Sequence, residues 1–435
     1  APETATIAAT GVSRVTGTAT ASSKGGQEDA DAGTADGSGR TGVDKQVGAE
    51  RDHAASLSGS STTPEAPSAA TSQGGLAAAA AVGVALSTAS ATATILAGGR
   101  VEAASLTVTA SGEADAVSEA SGSADGDASV GIGAGVALTL ATTTTTAEIV
   151  GSARAGTIAV EATTPGASDL SATATAGAAG GVSIAGAVAI ALVDRTTLAR
   201  VAGAAQTTSG ALRIAASSDA AVSATAKPAT EGGAVGSGAV GVGAAFALVV
   251  LDETARAELA DSATATLAGD LVLSAAATTT ATSTATMGAS GGVGIAPAAA
   301  VTISAVEARA RVGTGATLTV PGALTASAET EATATATANA AAVTTGSAAV
   351  GLALGLAMAD HAARTELARS VAGQGAVTFS ATTASSVTGS GTASAGGGEE
   401  DADADTPDGD GKTGVDKQIA AERDHADGVA GSAAG

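Results

Sequence analysis

Tryptophan, tyrosine and cysteine are missing from this 435-residue sequence, and phenylalanine occurs only at Phe246 and Phe379. Aromatic side chains supply much of the buried area of a globular core. A chain with almost none of them, whose apolar fraction is mostly alanine, must bring backbones into close approach again and again. Length alone would allow two or three ordinary domains, but this composition favours a regular, stacked architecture over a globule. The lack of cysteine excludes disulfides and thiolate metal sites and is neutral about compartment. The lack of Trp and Tyr argues against a polysaccharide-degrading β-helix, whose groove needs clustered aromatic and acidic residues.

Basic residues are also scarce, with 19 Lys and Arg against 42 Asp and Glu and a net charge of −23. A chain of this sign repels nucleic acid and anionic membrane, and no basic stripe exists to reverse that. No run of about 18 strongly apolar residues offers a membrane span. An initiator methionine and a signal peptide are both missing. That carries little weight if the chain is an excerpt, which its repeats lead us to expect.

Thr41–Ala54 reads TGVDKQVGAERDHA and Thr413–Ala426 reads TGVDKQIAAERDHA, identical at twelve of fourteen positions. The shift from Thr41 to Thr413 also carries Thr6-Ile7 onto Thr378-Phe379, Val15 onto Val387 and Glu28 onto Glu400. One long unit is therefore followed by the start of a second. Inside it lie six shorter segments, marked by Ile95, Ile149, Val201, Leu259, Val312 and Leu367. Their spacing of roughly 54 residues, nested within a longer period, is the signature of solenoids, whose units bury their apolar faces only against neighbours. The expected organisation is the end of a repeat over 1–22, an acidic insert over 23–75, six tandem β repeats over 76–394 and a second copy of the insert over 395–435.

Alanine is the best helix former, yet the periodicity is two. From Leu324 to Ala340 the even positions are Leu, Ala or Thr, while the odd ones include Thr325, Ser327, Glu329, Glu331, Thr333, Thr335 and Thr337. Such alternation is a strand signal, and helical stripes at i and i+4 are missing. The Gly-rich runs, such as VGVGAAFALVVL from Val240, are apolar on both sides. That pattern predicts strands covered on both faces, with glycine where another backbone lies close.

A Gly-rich apolar strand, then "D-x-T-x-A-x-hydrophobic", then "G-x-hydrophobic-x-hydrophobic" resembles the repeats of large secreted bacterial adhesins of the haemagglutinin and leukotoxin type. AFALVVLDETARAEL with GDLVLSA, within Ala245–Ala275, carries the resemblance best, followed by VAIALVDRTTLARV from Val188. It spans roughly residues 80 to 380 and implies a secreted, surface-exposed or filamentous protein with β-solenoid regions. The near lack of aromatics and the scarcity of Asn depart from that family.

The expected fold is an all-β elongated solenoid, a right-handed parallel β-helix with one short helix in each acidic insert. Two coils of about 27 residues per short repeat would advance the long unit by roughly 60 Å. The competing architecture is a stack of long antiparallel hairpins.

Residues that could carry chemistry are few. Of the three histidines, His53, His361 and His425, two occupy the same repeat position, and nothing supplies triad or zinc partners. GDGKTG at Gly409 lacks the first glycine of a phosphate loop, and the other copy reads GSGRTG. In the insert, Asp401, Asp403, Asp408 and Asp416, with Asp29, Asp31, Asp36 and Asp44 in the first copy, are oxygen donors on Gly-containing loops that could hold Ca²⁺. An EF-hand register fails, and a solvated acidic loop is the simpler reading. No other cofactor is expected. DKQIAAERD reads as a helix capped by Asp416, and an insert of this size must project from a solenoid wall. That makes Lys417, Glu422 and Arg423, with Lys45, Glu50 and Arg51, the candidate contact residues.

The expected function is structural and non-enzymatic: a segment of an extracellular filament or adhesin shaft at a bacterial surface, self-associating or touching a host or neighbouring cell. The competing function is an ice- or crystal-binding face built from threonine rows such as Thr280, Thr282, Thr284 and Thr286, although Glu113, Asp115 and Glu119 interrupt them.

Overall fold

The structure is a computed structural model that describes residues 3–23, 76–124, 129–166, 169–229 and 234–396. Its strands are β1 (Ala5–Ser22), β2 (Leu76–Ile95), β3 (Arg100–Ala124), β4 (Val130–Ile149) and β5 (Ser152–Thr164). They continue with β6 (Leu170–Val201), β7 (Ala204–Thr207), β8 (Leu212–Pro228), β9 (Ala234–Leu259) and β10 (Thr264–Thr266). The last are β11 (Leu271–Val312), β12 (Leu318–Val320), β13 (Leu324–Leu367), β14 (Val371–Gly373) and β15 (Val377–Gly396). No helix occurs among the described residues. Alternating inward burial and outward Thr, Ser and Val outweigh the helix propensity of alanine, because only the extended form puts every second residue on one face.

Every pairing among the described strands is parallel. This rules out the stack of antiparallel hairpins and shows a parallel β-solenoid. The chain runs along a first sheet, rounds a corner and runs along a second sheet. Short strands such as β7, β10, β12 and β14 then line a third side before the chain rejoins the first sheet. β6, β11 and β13 are long because each passes through the corner and serves both sheets. At that corner Gly180 and Gly291 both adopt a φ of 146°, a conformation open to glycine, and the register slips there.

The expected two coils per short repeat do not form. Each strand pairs with its counterpart in the next short repeat, Arg100 with Ser152 and Leu212 with Leu271, so each short repeat is one large coil. Each repeat holds two strands of up to about twenty residues, and each strand occupies a whole side of the coil. The column Ala5, Leu106, Ile158, Leu212, Leu271, Leu324, Val377 shows that the long unit makes six coils. At about 4.8 Å per coil the unit advances roughly 29 Å, half the expected value. The sequence markers Ile95, Ile149, Val201, Leu259, Val312 and Leu367 form one continuous column.

Side-chain size shapes the cross-section into a wedge. Beside the corner the sheets touch backbone to backbone: a Cβ on Gly133 would lie 1.9 Å from the Gly177 carbonyl oxygen, and one on Gly122 1.9 Å from that of Ala134. Further along, alanines such as Ala137, Ala172, Ala189, Ala224 and Ala247 fill the gap. At the far end the sheets part around Ile95, Leu106, Ile149, Ile158, Leu212, Leu259, Leu271 and Leu324. The buried Arg369 guanidinium donates there to the carbonyls of Ala260, Ala263, Gly313 and Thr314, tying three successive coils.

Asp261 makes a second clamp at this end. Its carboxylate accepts from the Thr314 amide at 2.7 Å, the Thr314 hydroxyl at 2.8 Å and Arg311 at 2.7 Å. The Thr314 amide bond leads the causes that lower its pKa from 3.8 to about 2. A depressed carboxyl contributes stability that is complete above its unfolded pKa and is lost as pH falls through the folded value. The Thr314 amide resonance is therefore expected to titrate with a midpoint near 2 by NMR, and to stop titrating in that range in Asp261→Asn. A midpoint at 3.8 would show that the clamp does not form.

Candidate functional site

The two sheets present different outer surfaces. On the first, threonine and serine columns run along the axis, as in Thr173, Thr225, Thr284, Thr337 and Ser390. Glu119 stands in the same column, and Lys227 follows Thr175 in the next.

On the corner half of the second sheet the outward residues are aliphatic or small. One column is Val84, Leu138, Ile190, Leu248, Val301, Leu356, and the next is Leu86, Leu140, Leu192, Val250, Ile303, Met358. Leu86 is 63 % and Leu354 55 % exposed. The Gly-rich strands were expected to be covered on both faces. Their inner side is buried, but among the described residues nothing covers the outer one, because the wall there is a single sheet. Ala80, Ala134, Gly186 and Ala244 form a trough of small residues through this face. It opens into an apolar hollow of about 560 Å³, bordered by Val188, Phe246, Pro297, Leu352 and Leu354. Apolar patches larger than a few hundred Å² are rare on monomers and mark contact surfaces.

Charge bounds this face on the side of the wide end. Its last column reads Glu148, Arg200, Glu258, Arg311, Glu366, alternating in sign from coil to coil. Arg200 pairs with Glu148, and Arg311 pairs with both Glu258 and Glu366. Parallel in-register stacking would place like charges side by side if each repeat kept the same residue, and the alternation removes that repulsion.

Inside the wedge a polar seam separates the two apolar clusters. Thr143, Arg195 and Glu253 occupy one inward column of the second sheet, and all three are buried. Glu253 accepts hydrogen bonds from Ser218 and Thr279 of the first sheet. Arg195 donates to the Pro165 carbonyl at 3.2 Å, while its Nε and Nη1 find no hydrogen-bond partner among the described residues. Burial pushes the Glu253 carboxyl up and pulls the Arg195 guanidinium down, each opposed by the other's charge. In the next coils His361 sits between the Ser304 and Ser385 hydroxyls. This arrangement ties the two sheets to each other. The parity of Val193 and Leu251, both inward, already places Arg195 and Glu253 inside.

The calcium candidates Asp29, Asp31, Asp36, Asp44, Asp401, Asp403, Asp408 and Asp416 lie outside the described residues, as do Lys45, Glu50, Arg51, Lys417, Glu422, Arg423 and the insert helix. Among the described residues no group of three or more His, Cys, Asp or Glu is placed to hold a metal ion, and no helix is long and apolar enough to cross a membrane. The structure does fix where the first insert leaves and rejoins the wall. β1 ends with Ser22 opposite Ser123 and β2 begins with Leu76 opposite Val130. Both points lie at the thin corner, beside the first outward residues of the apolar face. No known protein family, characterised protein or solved structure matches the chain.

Proposed function

We propose that this chain is a structural segment of a long extracellular filament or adhesin shaft, working through length, stiffness and lateral contact. The observation that carries the reading is the return of the wall to the same column after one long unit, from Ala5 to Val377, in six coils. A unit that ends in the register in which it began can be followed by another without a joint. Parallel strands bonded along the whole shaft make it stiff. Alternating ion pairs and backbone-contact glycines let a chain with only two aromatic residues do this. The resemblance of the Gly-rich and "D-x-T-x-A" segments to secreted bacterial adhesins points the same way, to a cell-surface location. The projecting inserts would carry the contacts with neighbouring or host surfaces, with calcium a candidate ligand of their aspartates.

Electron microscopy with an axial power spectrum tests this. A layer line near 4.8 Å with a superperiod of about 29 Å is the expected result. Compact particles without an axial repeat would overturn the filament reading.

The in-register threonines of the first sheet favour ice-surface binding as a second reading. Glu119 and Lys227 within those columns break the flat array such binding needs, which keeps it second.

A further inference from the structure

From the outer face of the second sheet we infer that two copies of this chain pair laterally, apolar sheet against apolar sheet. The inference rests on the shaft reading for its biological sense and on the face itself for its physics.

Five outward columns over six coils carry no charged residue, from Ala78–Val350 at the corner side to Leu86–Met358. Strands about 4.8 Å apart and alternate residues about 6.7 Å apart give a face of roughly 950 Å². Two such faces together remove roughly 1,900 Å² from water, within the range of a standard stable interface. Aligned sheets pack about 10 Å apart when their side chains interlock. The trough of Ala134, Gly186 and Ala244 can receive the aliphatic ridge of an opposing copy, so one surface supplies both halves of an isologous contact.

Other occupants fit less well. The insert that begins at the border of the face spans residues 24–75 and contains no aliphatic residue larger than Ala or Pro except Val43, Val47 and Leu57. It cannot cover five aliphatic columns. An anionic bilayer meets a chain of net charge −23, so electrostatics opposes it. Two copies repel as well, but the paired face is charge-free, and salt screens the rest within about 10 Å at 0.1 M. Pairing should therefore strengthen as salt is raised.

The test is sedimentation velocity of the full chain at low and high salt, beside the double variant Leu138→Lys/Leu248→Lys. Both side chains point outward from central coils, so their replacement leaves the interior unchanged. The wild type is expected to be a dimer that tightens with salt, and the variant a monomer with the same circular dichroism and a dissociation constant raised by about thirtyfold or more. Thr282→Lys/Thr335→Lys, on the first sheet, should remain dimeric. If the lysine variant misfolds, Leu138→Thr/Leu248→Thr keeps the strand propensity and carries the comparison. A wild type that stays monomeric at high salt overturns the inference, as does a monomer that floats with phosphatidylcholine vesicles, which would assign the face to lipid. Dimers that show no axial repeat under the microscope would fail the shaft reading and leave the pairing standing.

Discussion

Replacing Gly133 by valine is expected to cost about 3 kcal/mol or more and to loosen the coils on both sides of it, whereas Gly186→Val should be tolerated. The two glycines lie in adjacent columns of the same sheet and face opposite ways. A Cβ at Gly133 would sit 1.9 Å from the Gly177 carbonyl oxygen and 2.9 Å from that of Gly122. Both obstacles are backbone, so neither can swing aside, and the two sheets would have to separate where they now touch. Overpacking a close-packed interior costs about 1–3 kcal/mol and occasionally more. Here it also breaks the contact that sets the thin edge of the wedge. A Cβ at Gly186 meets nothing within 4 Å, and valine suits an outward-facing strand position better than glycine. Thermal unfolding together with hydrogen exchange of the neighbouring strands decides between them. Exchange matters because long solenoids open region by region and need not unfold as one unit. Equal melting of the two variants would show that the sheets do not meet at Gly133.

The strands, their parity and their repeat register were readable in the sequence because each rests on a local rule. Leu324 to Ala340 alternates, so it is extended. Ile95 to Leu367 recurs, so its members stack. The number of coils per repeat was not readable, since the step from Ile95 to Ile149 suits one large coil or two small ones. What decides is whether a strand of twenty residues spans one side, and that depends on how far apart the sheets are held. Here glycine and alanine allow two long sheets to lie nearly flat on each other without a third long wall. The apolar outer face was visible as residues, in the doubly apolar run from Val240 to Leu251, but its meaning was inverted. Apolarity on both sides predicts cover on both sides, and the described chain supplies cover on one. What the sequence shows as a fully buried strand is a wall whose outer face the described residues leave open.

Removing Arg195 should destabilise the protein at neutral pH far more than removing both Arg195 and the charge of Glu253. Glu253 has no solvent exposure and Arg195 only 1 %. Burial raises the Glu253 carboxyl and lowers the Arg195 guanidinium, each opposed by the other's charge and, for Glu253, by the Ser218 and Thr279 hydroxyls. Arg195→Leu leaves a buried carboxylate with two neutral donors, and stripping one partner from a buried charge pair costs about 3–5 kcal/mol. Arg195→Leu/Glu253→Gln keeps a partner for both hydroxyls, one donating to the amide oxygen and the other accepting from the amide NH2, and removes the charge, so most of that cost should be recovered. The pH dependence follows from the direction of the shift. A carboxyl whose folded pKa is raised gives stability that is complete below its unfolded pKa and is lost as pH rises through the folded one. The penalty of Arg195→Leu should accordingly shrink as pH is lowered toward the ordinary glutamate value of 4.5, while the double variant shows no such trend. Denaturant titrations of the wild type and both variants across that range provide the measurement. A penalty for Arg195→Leu that does not change with pH would mean that Glu253 is not the group left unpaired, and that the seam is held by its hydroxyls alone.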